Sequence, residues 1–322
     1  MDDGIAHRMV DVNGIRMHVA EKGEGPVVLF LHGFPELWYS WRHQIHGLAA
    51  AGFRAVAPDL RGFGDTDAPQ GVAAYTMVHV VGDLVALILS LDQEQVFVVG
   101  HDWGALVAWA LCSFRPDLVR ALVNLSVPYL PRDPARRPLE TLRALYGDDY
   151  YICTFQEPGR TESEFARIKT TAVIKKFLTY HDPAPVLVPK EHGFAAAPGK
   201  EITLPPWLSE EDINYFAIKF DKSGFTGGLN YYRALDLNWE LTAPWGGLQI
   251  KVPVKFIVGD QDLTYGSPGI VEYIHKGGFR KYCPLLEDVV VMEGVGHFIN
   301  QEKPHDITNH IHDFFRRKLS SI

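Results

Sequence analysis

The residues best suited to chemistry lie in Gly100-His101-Asp102-Trp103-Gly104. An apolar β-type run over 96–99 leads into them, and a helix-type run over 105–114 follows. A strand that passes into a helix through so short a bend throws its central residue outward and brings backbone segments close, so small residues flank it. The outward residue here is Asp102. At a helix N-terminus its anion is stabilised by the helix dipole and by neighbouring N–H groups. A carboxylate held in this way can attack carbon. The plainer alternative is that Asp102 only caps the helix.

A bend of this kind needs a sheet beneath it. The pattern predicts a hairpin over 9–21 turning at Asn13-Gly14, then a strand over 27–31 and a helix over 38–50. A strand over 53–57 and a helix over 76–91 follow, the helix carrying Val80, Leu84, Leu87, Ile88 and Leu91 on one face. After the bend, 121–125 reads as a further strand. This alternation predicts an α/β core with a mostly parallel sheet and helices on both sides. The rhythm stops at Pro128, Pro131, Pro134 and Pro138. From there to Pro244 the chain reads as helical and loop-like, rich in Tyr and Phe, with a long loop over 180–200. Strands resume over 252–258 and 289–292, and a helix over 307–319 closes the chain. The division expected is a core from 1–131 and 245–322, interrupted by a mostly helical lid over 132–244. There is no internal repeat or low-complexity tract.

Composition narrows the function classes. The 322 residues are 47% apolar and 22% charged, as in ordinary globular proteins. The net charge of −8 and the scattered basic residues argue against nucleic acid or acidic lipid as a partner. No run of eighteen apolar residues suggests a membrane span, and Met1-Asp2-Asp3-Gly4 does not resemble a signal peptide. Cys112, Cys153 and Cys283 are too few and too spread for a disulfide framework or a zinc site, and Cys112 reads as a buried apolar residue. A reducing, cytoplasmic setting is expected. No metal or organic cofactor is expected.

An aspartate nucleophile that becomes acylated or alkylated needs a base to activate water, a group to orient that base, and donors for developing negative charge. His297, in Met292-Glu293-Gly294-Val295-Gly296-His297-Phe298, stands out among fourteen histidines because it follows the last strand in a glycine-rich loop. That is where α/β-hydrolases, which the chain resembles, carry their histidine. Imidazole takes a proton from water near neutrality because its pKa is about 6.5. The same resemblance favours Asp262 as the orienting acid, with Asp260, closer to the strand end, as the rival that would only cap the turn. It also assigns the oxyanion hole to the N–H groups of Phe34, in His32-Gly33-Phe34-Pro35, and of Trp103.

More specifically, the chain resembles the plant-type soluble epoxide hydrolases over nearly its whole length. The resemblance lies in His32-Gly33-Phe34-Pro35-Glu36-Leu37-Trp38, Gly62-Phe63-Gly64-Asp65-Thr66-Asp67-Ala68-Pro69, the Asp102 bend, Asn230-Tyr231-Tyr232-Arg233-Ala234-Leu235 and Asn238-Trp239-Glu240-Leu241-Thr242-Ala243-Pro244-Trp245. The first three are shared with related dehalogenases. The resemblance implies that Tyr151 and Tyr232 donate hydrogen bonds to an epoxide oxygen, with Tyr150 and Tyr231 as the register alternatives. A phenol stays protonated at neutral pH and suits that role; aromatic packing is the plain alternative for any of the thirteen tyrosines. Glu36 and His101 also match positions near the family's site.

The reaction so implied opens a small apolar epoxide with water to a vicinal diol through an Asp102 ester. A haloalkane or haloacid dehalogenase is a second reading. It would share Asp102, His297 and Asp262 but would want a halide donor where Phe34 stands. A non-catalytic receptor on the same fold is a third.

Overall fold

A computed structural model describes residues 4–189, 193–194 and 202–319. Eight strands form one sheet: β1 (Ala6–Val12), β2 (Ile15–Lys22), β3 (Val27–Leu31), β4 (Arg54–Pro58), β5 (Val96–His101), β6 (Val119–Leu125), β7 (Val254–Gly259) and β8 (Leu286–Met292). Their order is β1-β2-β4-β3-β5-β6-β7-β8. β2 runs antiparallel to both its neighbours, and the pairs from β4 through β8 are parallel. Asn13 and Gly14 both take positive φ in the β1–β2 turn, as a tight hairpin with right-handed strand twist requires. β3, β5 and β7 are buried at every position. Both of their faces are covered, so they read as continuous apolar runs and do not alternate.

Helices cover the two faces. α1 (Arg42–Ala50) and α14 (Pro304–Leu319) pack on one side, where Ile45, Leu48, Ile307, Ile311 and Phe314 join one core cluster. α2 (Met77–Ser90) and α3 (Trp103–Phe114) cover the other. The expected helix over 38–50 divides: Trp38–Trp41 is a 3-10 turn, and the α-helix begins only at Arg42. Trp38 N–H donates to the buried Asp59 carboxylate at 3.0 Å, which fixes this turn against the end of β4.

Between β6 and β7 the chain leaves the sheet. It forms α4 (Pro138–Tyr146), α5 (Tyr151–Thr154), α6 (Arg160–Ala166), α7 (Thr170–Leu178), α8 (Glu210–Ser223), α9 (Thr226–Arg233) and α10 (Leu235–Leu241), with no strand among the described residues beyond one bridge between Tyr150 and Leu187. Of the long loop expected over 180–200, the described part (180–189 and 193–194) contains no helix, and the rest lies outside the described residues. After β7, α11 (Ile270–His275) and α12 (Gly278–Tyr282) precede β8, and α13 (Ile299–Glu302) precedes α14.

The inserted helices sit on the sheet's carboxyl end through specific contacts. Asp65, after β4, pairs with Lys219 and, at 2.8 Å, with Lys222 on α8. Arg42 pairs with Asp212 at 3.0 Å. Gly227 lies in the first turn of α9, where helix propensity alone would disfavour it. A Cβ there would stand 2.3 Å from the Gly62 carbonyl oxygen, so only glycine lets this helix meet the core loop so closely.

Candidate active site

The bend after β5 places Asp102 at the start of α3 with φ 52° and ψ −122°. A non-glycine residue at such angles is strained and persists only where its surroundings over-determine it. Here they do. A Cβ on Gly104 would lie 2.0 Å from the Leu31 carbonyl oxygen, so α3 is packed directly on the end of β3. The Asp102 side chain makes no capping bond to its own helix. Its Oδ1 instead accepts from the Phe34 N–H at 2.7 Å. Trp103 is the first helical residue, so its N–H has no acceptor within the helix.

The loop after β8 brings His297 to the same place. His297 Nε2 is 3.5 Å from Asp102 Oδ2, and its Nδ1 is 3.0 Å from both oxygens of Asp262. Asp262 is fully buried. Asp260 faces elsewhere and accepts from the Gly294 N–H at 2.8 Å, a turn-holding bond. Burial alone would push the His297 imidazole down, but the carboxylates of Asp262 and Asp102 outweigh it and hold its pKa well above the ordinary value. Burial would raise Asp262; the facing imidazole and the bonds it accepts keep it lowered.

Two residues that the sequence reading passed over hold this acid and its histidine. Thr264 donates its N–H to Asp262 Oδ1 at 2.8 Å, and its hydroxyl lies 2.8 Å from the same oxygen. The signal was present in the Asp-x-Thr spacing, which favours a local side-chain turn. Ser126, at φ 69° after β6, donates its hydroxyl to the His297 carbonyl at 3.2 Å. That contact spans 171 residues, and local sequence carries no sign of it.

Glu36 and His101 form a second buried pair behind the first. His101 Nδ1 lies 2.7 Å from Glu36 Oε2, and its Nε2 lies 2.7 Å from the His297 carbonyl oxygen. Both ring nitrogens thus face acceptors. Burial would raise Glu36, but the His101 imidazole holds it down at about 2. Glu36 also accepts from the Gly33 N–H at 3.1 Å, so the pair braces the loop that carries Phe34.

Above the carboxylate is a cavity of about 290 Å³ lined by Asp102, His297, Phe34, Tyr151 and Tyr232, with Phe177, Val186, Val188 and Leu263 among its apolar walls. The tyrosine alternatives separate here. Tyr232 and Tyr151 line the cavity with ring centroids 5.9 Å apart. Tyr231 turns into the core and donates to the Arg61 carbonyl at 3.0 Å, and Tyr150 stacks on Tyr146 at 4.4 Å. Burial first, then neighbouring tyrosines and the Asp102 charge, push Tyr151 well above the usual phenol range; burial and Asp102 do the same to Tyr232. Both therefore stay protonated donors.

The sheet order and the strand–bend–helix at Asp102 define a hydrolase of the α/β class. A family model described as the alpha/beta hydrolase fold matches residues 26–304. The chain is 59% identical to epoxide hydrolase 3 of Siraitia grosvenorii over 98% of its length and 99% of that protein. It is 38% identical to epoxide hydrolase A of Mycobacterium tuberculosis over 95% of the chain and 96% of that protein. Among solved structures, potato (Solanum tuberosum) epoxide hydrolase I matches with a TM-score of 0.94 at 58% identity, covering 97% of this chain and 99% of that one. The chain belongs to the epoxide hydrolases of the alpha/beta hydrolase fold.

Proposed function

We propose that this enzyme hydrolyses small apolar epoxides to vicinal diols through a covalent ester on Asp102. The observation that carries the reading is the single apolar cavity shared by Asp102, His297, Tyr151 and Tyr232. The epoxide oxygen accepts hydrogen bonds from both tyrosines. An Asp102 oxygen attacks a ring carbon, the carbon–oxygen bond breaks, and a tyrosine proton neutralises the alkoxide. His297 then removes a proton from water. The hydroxide adds to the ester carbonyl and the tetrahedral anion rests on the N–H groups of Phe34 and Trp103; collapse breaks the bond to the diol oxygen, which takes the imidazolium proton, while the second water proton, left on the Asp102 acid, returns to the tyrosinate and restores the free enzyme. Aspartate suits this better than serine: its ester has a carbonyl that water can attack, whereas an ether on serine would be a dead end.

The electrostatics support the order of steps. In the free enzyme the Asp102 carboxylate helps hold His297 protonated. Alkylation removes that negative charge, so the imidazole's pKa falls when a base is required. Asp262, held by Thr264, orients the ring, and the Glu36–His101 pair holds the His297 backbone. We assign the core to 1–131 and 245–322 and the lid to 132–244. The unpaired, buried Cys112, Cys153 and Cys283 are in keeping with a reducing, cytoplasmic setting. The dehalogenase reading lacks support, because Phe34 stands where a halide donor is wanted.

One turnover in heavy-oxygen water tests the proposal. The label is expected in the Asp102 side chain first and in the diol only on later turnovers. Direct appearance in the first diol, with none in the peptide holding Asp102, would overturn it.

A further inference from the structure

A second cavity, of about 450 Å³, lies behind the helix that carries the nucleophile and shares no lining residue with the catalytic one. Its floor is α3. Along that helix Leu106, Ala110, Ser113 and Phe114 are half-buried, and every other residue is buried. Their spacing puts these four on one stripe, the side of α3 that the core leaves uncovered. The walls include Leu142 of α4, Leu235 and Trp239 of α10, and Tyr129. Trp103 also lines this cavity, and its ring centroid stands 4.9 Å from that of Tyr232 in the catalytic one.

The few polar groups of the lining say what kind of ligand it fits. Arg136 is exposed at the rim, and no acid pairs with it among the described residues. Neighbouring arginines outside the lining are engaged, Arg137 with Glu240 at 2.7 Å and Arg143 with Asp148 at 3.2 Å. Arg132 lies over the Trp239 ring at 4.2 Å and donates its Nε–H to the Trp239 carbonyl at 2.8 Å. The two NH₂ ends of its guanidinium have no acceptor among the described residues. The one acid of the lining, Asp133, turns its Oδ1 to the Ala135 N–H at 2.8 Å. Asn238 is buried in the wall; its Oδ1 accepts from the Met77 N–H at 2.7 Å, and its NH₂ has no acceptor among the described residues. Two guanidinium forks beside an apolar hollow, in a chain of net charge −8, match a carboxylate.

We propose that this cavity is a non-catalytic binding site for an amphipathic monocarboxylate, an apolar chain ended by a carboxylate group. The chain lies along the half-buried stripe of α3, and Arg132 and Arg136 hold the carboxylate at the rim. From Leu106 to Phe114 the stripe runs about 12 Å, roughly the length of an extended chain of about ten carbons. The volume is in the range, roughly 300–1,000 Å³, of pockets that take small organic ligands. Asp102 and His297 line the other cavity, so the bound acid meets no reacting group, and the site stands independently of the ester route.

Four of the seven tryptophans, Trp103, Trp109, Trp239 and Trp245, line this cavity, and none lines the catalytic one. Intrinsic fluorescence therefore reads its occupancy. The probe is ω-bromoundecanoate below its micelle concentration, because bromine quenches a tryptophan that it touches; ω-bromoundecanol is the uncharged control. Saturable quenching by the acid is expected, with the alcohol bound at least fivefold more weakly. Arg136→Gln should weaken the acid about fivefold, as loss of an exposed ion pair would, and leave the alcohol unchanged. Ala110→Leu and Thr141→Phe, which narrow the cavity from α3 and α4, should weaken both probes about tenfold. Styrene oxide turnover within twofold of the parent reports that the variants fold; if the two filled variants do not, the exposed Arg136→Gln and the acid–alcohol comparison decide the matter. Absence of saturable quenching, or equal affinity for acid and alcohol, would overturn the proposal. So would binding that survives both filled variants and appears as competitive inhibition of styrene oxide turnover, because that places the acid in the catalytic cavity.

Discussion

The Phe34 N–H donates to Asp102 Oδ1 at 2.7 Å, across 68 residues of sequence. Asp102 occupies the capping position of α3, yet its carboxylate leaves that helix uncapped and turns to the loop after β3. On the ester route proposed above, the same donor would hold the anion of the tetrahedral intermediate on that carbon. Geometry around this bond has little slack. A Cβ on Gly33 would fall 2.2 Å from Asp102 Oδ1. Gly33→Ala is therefore expected to lower turnover on the order of 10²-fold, the usual consequence of displacing a reacting group by about 1 Å, with circular dichroism unchanged. Turnover within threefold of the parent would show that the loop adapts.

Replacing His297 by Gln separates the two halves of the reaction. The ester should form and persist, so intact mass after mixing with an epoxide should show the enzyme plus one substrate mass. No adduct with an epoxide that the parent turns over would remove His297 from the role of base.

The two tyrosine pairs make a matched test. Tyr151→Phe with Tyr232→Phe removes both donors facing the cavity and should slow ester formation on the order of 10³-fold or more. Tyr231→Phe should leave turnover nearly unchanged. It deprives the Arg61 carbonyl of a buried partner and should cost about 1–3 kcal/mol in denaturant unfolding. The reverse pattern would exchange the assignments.

The His297 imidazole titrates well above its ordinary value because Asp262 and Asp102 outweigh the burial that would lower it. Asp102→Asn removes one of the two charges. The His297 pKa, read by NMR of the ring, should fall in this variant. The pH profile of ester decay in the parent should likewise show a lower pKa than the free enzyme's ring. An unchanged ring pKa in the variant would mean that Asp102 does not set it.

Asp65 tests the attachment of the inserted helices. Burial would raise its carboxyl, but Lys219 and Lys222 bring it down to about 2 from an ordinary 3.8. A lowered carboxylate adds stability above the unfolded pKa and loses it as the pH falls through the folded one. The Tm of the parent should therefore exceed that of Asp65→Asn by a constant margin above about pH 5. The margin should shrink as the pH drops from 4 toward 2, and added salt should also reduce it because the pair is partly exposed. A margin independent of pH would exclude the ion pair as its source.

The sequence by itself determined the sheet-and-helix alternation, the helical insertion and the bend at Asp102. Each is written in local patterns: apolar period, glycine spacing, proline punctuation. Element edges were less legible. The 3-10 turn at Trp38–Trp41 is bonded to the Asp59 carboxylate, a partner just past the end of β4. The resemblance favoured Tyr232 and Asp262 over their neighbours, but only tertiary structure shows Tyr231 turned to the Arg61 carbonyl, Asp260 turned to the Gly294 N–H, and Ser126 at the His297 carbonyl. The physical reason is common to all of these. Side-chain direction at a loop or a short helix is set by contacts with segments far away in the chain, and neighbouring residues carry no record of them.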